Sequence, residues 1–354
     1  MKVCVFILTP GQTYFWQHIL EKLESEGNEV LILARDYGET LSIMRERGIT
    51  HTPFIPEKNS KMGKILSVPN DVLKAYQILR KWKPDVLLGY GFYEGCLGGL
   101  LHVPAITFTD LEPTVNKIHT FEHKLVKPFL SEYITPELFG CDVGPKHTRI
   151  PCLKEIAYLH PNYYQPDDSI YEILGLEKGT KYFLLRFNAF DSIHDVGHHG
   201  FSANEREEIF DYLAQYGEVL ITSEIEDLPE RMKSKVIRIP KSRFHDVLYY
   251  SSLVVTDAHT VAAEAALLGT YSIRSNSYVG ENDSVAYRTL EGYGVMNNYS
   301  SFEDVMKRLR EVVNDSEDTI DIQDNLNHLY DEMIDVVDYM CSKIHYHYDL
   351  SLKK

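Results

Sequence analysis

The sequence encodes an α/β protein made of two doubly wound, Rossmann-like domains. Three observations point there. Short apolar runs alternate with helix-period segments along most of the 354 residues, the pattern of βαβ units on a parallel sheet. That alternation pauses once, in the turn-rich stretch His160-Pro161-Asn162-Tyr163-Tyr164-Gln165-Pro166-Asp167, and then restarts. The length suits two domains, and a hydrophobic content of 44% fills a core in each.

The elements follow in order. Residues 2–8 read as a buried strand, 9–13 as a turn, and 14–26 as a helix with Phe15, Ile19, Leu20 and Leu23 on one face. Gly27 stops that helix. A second strand spans 29–34, a helix 40–47, and another helix 71–82 after Pro69. Residues 85–88 form a strand, 91–101 a helix and 105–108 a further strand, so a first domain covers 1–160. The second, 168–314, carries strands at 182–186, 219–222, 236–239 and 252–256, with helices at 203–216 and 244–250. In the remaining 315–354, Leu326, Leu329, Met333, Val336, Val337 and Met340 make an apolar stripe opposite an acidic face. This reads as a long amphipathic helix packing back on the first domain.

Composition excludes several function classes. With 36 basic and 52 acidic residues the net charge is −16, and no basic stripe offsets it, so no nucleic-acid partner is expected. The five cysteines are widely spaced without a C-x-x-C, which implies reduced thiols and no zinc site. The chain opens directly on a strand, without signal-peptide architecture, and has no run of 18 apolar residues. The expected location is cytoplasmic, with no transmembrane segment.

The stretch 256–274, TDAHTVAAEAALLGTYSIR, carries the most chemistry. Thr256 and Asp257 can cap a helix that ends at Gly269. A helix start at the end of a buried strand offers N–H groups to a phosphate. Glu264, one turn inside, has the acceptors to clamp two ribose hydroxyls. His259 and Thr260 sit in the loop that should face a diphosphate, His259 as a cation if protonated. Arg186 ends a strand and suits diphosphate charge, and Ser223 ends the next. His194, with Asp195, is placed for acid–base work. His198 and His199 follow, but the spacing matches no familiar metal set, and no metal is expected. In the first domain Gly11 permits close backbone approach and Thr13 can contact a ligand. Asp110, Glu112 and Glu122 are the carboxylates best placed as general base.

Four segments, FILTPGQTYFW, EIAYLHP, LLRFNAFDSIHDVG and AAEAALLGT, span nearly the whole chain. They resemble a prokaryotic domain family of unknown function, grouped with glycosyltransferase-B enzymes and non-hydrolysing UDP-N-acetylglucosamine 2-epimerases. Those enzymes carry a strand, T-D-S-G-G, a helix with a Glu, and L-G-x-P. Here Thr256, Asp257, Glu264, Leu268 and Gly269 keep the pattern, while Ala258, His259 and Thr260 replace Ser-Gly-Gly. The resemblance implies a glycosyltransferase-B fold, with nucleotide on the second domain, acceptor on the first, and a central cleft. The epimerases' G-T-R-P-E and H-G-D patterns are lost: the 9–13 turn lacks the Arg, and Phe92 stands at the Asp, with Glu94 two residues on. The reading is therefore a glycosyltransferase acting in glycan or cell-surface polysaccharide biosynthesis, with an epimerase-like isomerase second and a non-catalytic scaffold third. Implied partners are a UDP-linked sugar as substrate and a glycan or lipid-linked acceptor. A homodimer and a place at the membrane surface are compatible with this reading, and it needs no resident cofactor.

Overall fold

Every strand pairing in the computed structural model is parallel, as continuous apolar runs between helices require. The structure describes residues 1–56, 61–111, 117–190, 198–280, 283–314 and 319–353. The chain divides into two units: Met1–Tyr158 with Met333–Lys354, and Leu159–Glu332.

The first unit holds β1 (Lys2–Ile7), β2 (Glu29–Arg35), β3 (Thr52–Ile55), β4 (Val86–Gly89), β5 (Ala105–Phe108), β6 (Glu132–Pro136) and β7 (His147–Ile150). Their order is β3-β2-β1-β4-β5-β6-β7, which reverses direction between β1 and β4. Its helices are α1 (Pro10–Ser25), α2 (Thr40–Glu46), α3 (Lys61–Trp82), α4 (Phe92–Leu101) and α5 (Lys117–Val126), with α6 (Ile156–Leu159) at the unit boundary. Phe15 stacks on Phe108 with centroids 4.2 Å apart, one contact binding α1 to the sheet.

The second unit contains α7 (Ile170–Leu174), β8 (Tyr182–Phe187), α8 (Ala203–Leu213), β9 (Glu218–Ser223), α9 (Glu230–Lys233) and α10 (Phe244–Tyr250). It continues with β10 (Leu253–Thr256), α11 (His259–Leu267), β11 (Ser272–Ser275), α12 (Val285–Gly292), β12 (Asn297–Tyr299), α13 (Phe302–Asn314) and α14 (Thr319–Glu332). The sheet order is β12-β11-β10-β8-β9, reversing between β8 and β10. Phe183, Leu185, Val255 and Ile273 fill one face against Ile209, Leu213 and Leu309.

Some local readings change. The expected turn at 9–13 is already helical, because Pro10 is preset for a first helical position. Gln12 Oε1 accepts from the Leu8 N–H at 2.7 Å and closes the junction. α3 runs through Pro69 instead of starting after it. Residues 236–239 give a single bridge, Ile221 to Val236, and no strand. The tail is two helices, not one: α14 belongs with the second unit, and α15 (Val336–Ser351) returns to the first. The break comes at Asp335, whose side chain accepts from the Asp338 N–H and starts a new helix. Cys341 on α15 faces the Ile19 carbonyl on α1, and Lys343 and His347 reach the buried Glu132 of β6 at 2.8 and 2.7 Å.

Candidate functional site

In a doubly wound sheet the ligand position is the carboxyl edge where strand order reverses. In the second unit that edge is unusually polar. Registered neighbours in a parallel sheet point to the same face. Successive pairings align Thr222, Arg186, Thr256, Arg274 and Asn298 in one row across β9, β8, β10, β11 and β12. Two arginines thus stand two strands apart, roughly 10 Å at ~4.8 Å per strand. Arg274 is fully buried. It pairs with Asp283, donates from Nε to Asn298 Oδ1 at 2.8 Å, and lies over the Tyr287 ring at 4.5 Å. Arg186 is half-buried and pairs with Glu224, just beyond β9.

Asp257 follows β10 at the reversal point. Its two oxygens accept from the N–H groups of Asn188 at 2.7 Å and Phe201 at 3.3 Å. The carboxylate therefore ties down both flanks of the segment between β8 and α8. Gly200 leaves the room for it: a Cβ there would lie 2.1 Å from Asp257 Oδ2. Burial pushes the Asp257 carboxyl up to about 7, although the two backbone bonds and the nearby Arg186 pull the other way. Asp257 is not the helix cap expected from sequence. Ala258 is the N-cap and supplies no side-chain bond, because Asp257 is turned toward 188 and 201 and Thr256 Oγ1 accepts from the Ala258 N–H.

The sequence-chosen residues separate into groups. His259 is the first residue of α11, and Thr260, the second, is exposed. His259 Nδ1 is 2.6 Å from Arg274 Nη1, and its ring stacks on Tyr287. Glu264 is buried, with Oε1 3.3 Å from Nε2 of the buried His245 on α10. Ser223 Oγ bonds the backbone of Ile225 as both donor and acceptor, which shapes the turn after β9. His194 lies outside the described residues.

In the first unit Gly11 is the second residue of α1, with nothing within 4 Å of a Cβ placed on it. Thr13 is fully buried, and its hydroxyl returns to the Thr9 carbonyl. It faces the core because α1 starts early and turns that position inward. Asp110, just past β5, is salt-bridged to Lys154, which also contacts the buried Glu155 at 2.9 Å. Glu122 is half-buried on α5, and Glu112 lies outside the described residues. Glu94 is buried at the start of α4, accepting from the Gly91 N–H and from Thr107 Oγ1 at 2.6 Å. Burial raises its carboxyl to about 7.

Sequence reasoning missed Arg274 and Lys154. Arg274 left a signal, a lone charge inside the apolar strand YSIRS. Lys154 left none, since its partner Asp110 lies 44 residues away along the chain.

Residues 1–342 match a family described as a protein of unknown function, DUF354. The chain belongs to that family. No curated protein matches it. Among solved structures, UDP-GlcNAc 2-epimerase from Neisseria meningitidis bound to UDP-GlcNAc is similar, with a TM-score of 0.70 and 10% identity over 98% of this chain and 100% of that one. The glycotransferase of kitacinnamycin gives 0.63 at 11% identity, covering 98% of each chain. The S. aureus MnaA–UDP co-structure gives 0.62 at 13%, covering 99% of this chain and 97% of that one. These likenesses establish the fold of this DUF354 chain as that of the glycosyltransferase-B enzymes and UDP-GlcNAc 2-epimerases. Among the described residues no helix is long and apolar enough to cross a membrane.

Proposed function

We propose that this DUF354 protein binds a nucleoside diphosphate sugar on its second unit and transfers the sugar to a hydroxyl acceptor. The observation that carries the reading is the polar row at the carboxyl edge of the second sheet. It sets Arg186 and Arg274 on either side of Thr256, directly before α11, whose N-terminus has no side-chain cap. Guanidinium groups and the N–H groups of a helix start are the chemistry a diphosphate needs. Solved structures of the same fold bound to UDP and UDP-GlcNAc support a UDP-linked sugar as the first choice. Glu264 would accept from ribose hydroxyls, with His245 behind it holding the carboxylate in place.

In the transfer the acceptor oxygen attacks the anomeric carbon, the bond from that carbon to the diphosphate breaks, and the nucleoside diphosphate leaves. A base takes the hydroxyl proton. Asp110 is our choice, oriented by Lys154. No step needs a resident cofactor, and the acceptor is a glycan or lipid-linked sugar.

Epimerisation at C2 is the second reading, favoured by the 0.70 TM-score to the Neisseria enzyme. Melting curves with UDP, GDP, CDP and TDP test the ligand class, and a rise with UDP alone is expected. Incubation with UDP-GlcNAc then separates the activities. Slow UDP release is expected of a transferase, whereas appearance of the 2-epimer would replace it with the isomerase. Failure of all four nucleotides and of UDP-GlcNAc to bind would remove both readings and leave a scaffold.

A further inference from the structure

The outer face of α5 carries apolar surface that the core does not use. The inner face is already packed. Val126 and Leu130 are buried against Gly95 of α4, where a Cβ would lie 2.6 Å from Val126 Cβ. His123 meets the Tyr133 ring of β6 at 5.1 Å. Phe121 and Leu125, one turn apart on α5, are left 66% and 48% exposed. A short 3-10 turn, Lys127–Phe129, continues the line. Phe129 is 50% exposed, and its ring leaves no room for a Cβ at Gly99 of α4. Leu100, the next residue of α4, is 56% exposed. By contrast, α1 of the same unit has no exposed large apolar side chain.

Lysines accompany this apolar line in a chain whose net charge is −16. Lys124 and Lys127 are exposed beside it. Lys146, also exposed, donates from Nζ to the Pro128 carbonyl at 3.0 Å, which holds its ammonium at the end of the line. Of the nearby acids, Glu122 is half-buried, and Asp142 accepts from the Gly144 N–H at 2.8 Å and faces His147. Contiguous exposed apolar groups mark an interaction surface, and the lysines select its occupant. Lysine is depleted at protein–protein contacts. In a two-fold pairing through this face the lysines of both copies would oppose one another. An anionic lipid surface suits both features, since its acyl boundary receives apolar groups and its headgroups receive ammoniums.

We propose that this face docks the protein on an anionic bilayer. Phe121, Leu125 and Phe129 enter the boundary between headgroups and acyl chains, and Lys124, Lys127 and Lys146 pair with lipid phosphates. By helical rise the line from 121 to 129 is roughly 12 Å long, so α5 lies in the membrane surface and does not cross it. The face belongs to the first unit and rests on no assumption about nucleotide or sugar. Docking would bring the unit proposed to receive the acceptor to the place where a lipid-linked acceptor resides.

Co-sedimentation of the full chain with lipid vesicles tests this. One set is phosphatidylcholine alone, and the other contains about one-third phosphatidylglycerol as the anionic lipid. Wild type is expected on the anionic set only, and less of it as salt rises from about 0.05 M to about 0.3 M and screens the charges. A chain of net charge −16 is otherwise repelled by that surface, so binding there must come from a local patch. Phe121→Ser with Leu125→Ser should lower the binding at least ~10-fold. Lys124→Gln with Lys127→Gln should lower it about fivefold per lysine, or roughly 25-fold together. All four positions are exposed, so melting curves close to wild type are expected. If the serine pair nevertheless unfolds, the lysine pair decides. Failure of wild type to bind anionic vesicles at low salt overturns the proposal. So does equal binding to both sets, or full binding by either double variant that folds. A wild-type dimer in sedimentation velocity that the serine pair dissociates would also overturn it, since the occupant is then a second copy.

Discussion

Replacing Asp257 with asparagine should destabilise the second unit in a pH-dependent way. Its two oxygens serve different donors, the Asn188 and Phe201 N–H groups. An amide has one acceptor oxygen, so either orientation turns its NH2 toward one of those donors. A buried N–H left unpaired costs about 1–3 kcal/mol. Charge adds a signature that a simple lost bond lacks. Burial raises this carboxyl to about 7 in the folded protein, whereas an unfolded aspartate titrates near ~3.9. The folded state therefore holds the proton more tightly. The stabilisation from that proton is fully present below about pH 4, declines as pH rises, and is gone above about pH 7. Within that window wild type loses up to ~1.4 kcal/mol per pH unit relative to the variant. The variant's deficit is then larger at pH 5 than at pH ~8. Urea unfolding of both proteins at the two pH values measures it. Both tryptophans, Trp16 and Trp82, lie in the first unit, so their fluorescence is the internal control while circular dichroism follows the second unit as well. A deficit equal at the two pH values refutes the reasoning.

Three more outcomes are expected. Gly200→Ala puts a Cβ against Asp257 Oδ2 and should cost about 1–3 kcal/mol; a melting temperature equal to wild type would show that the carboxylate can move aside. Glu132→Gln removes the charge that Lys343 and His347 of α15 share, at about 1.5–3 kcal/mol read by tryptophan fluorescence. Burial alone would raise the Glu132 carboxyl, but the bonds from His347, Lys343 and Thr148 outweigh it and hold the group at about 2. Its stabilisation is present above the unfolded value near ~4.3 and is lost as pH falls toward ~2, so the variant should show a shallower acid transition than wild type. Glu264→Ala should weaken UDP binding roughly ten- to over a hundredfold, the equivalent of about 1.5–3 kcal/mol, and an unchanged isotherm from the folded variant removes Glu264 from the site.

Much of the fold was legible because buried parallel strands announce themselves as apolar runs, such as VCVFI in β1 and LVV in β10. Edge strands do not: β7 is HTRI, half-exposed and without a periodic signature. The break between α14 and α15 was hidden because Leu326, Leu329, Met333, Val336 and Val337 keep a helical spacing straight across it. At the site the stretch 256–274 was readable as strand, loop and helix. What the loop residues touch was not. Asp257 serves groups at 188 and 201, His245 sits against Glu264, and Lys154 against Asp110. Each pairing is made by the topology, which brings distant strand ends to one edge, and no local pattern encodes it.

The discontinuity of the first unit bears on how the chain matures. Synthesis runs from the N-terminus, yet the unit that begins at Met1 is completed only by residues 333–354. Until α15 emerges, Glu132 lacks the lysine and histidine that compensate its charge, and the α1 surface around Ile19 lacks its cover. The second unit has no such debt to later sequence, since its 159–332 stretch is contiguous. A nascent chain of this protein can therefore finish its second half before its first, the reverse of the usual order of domain maturation on the ribosome. Loss of the last twenty or so residues would strike the N-terminal unit and not the one adjoining the cut.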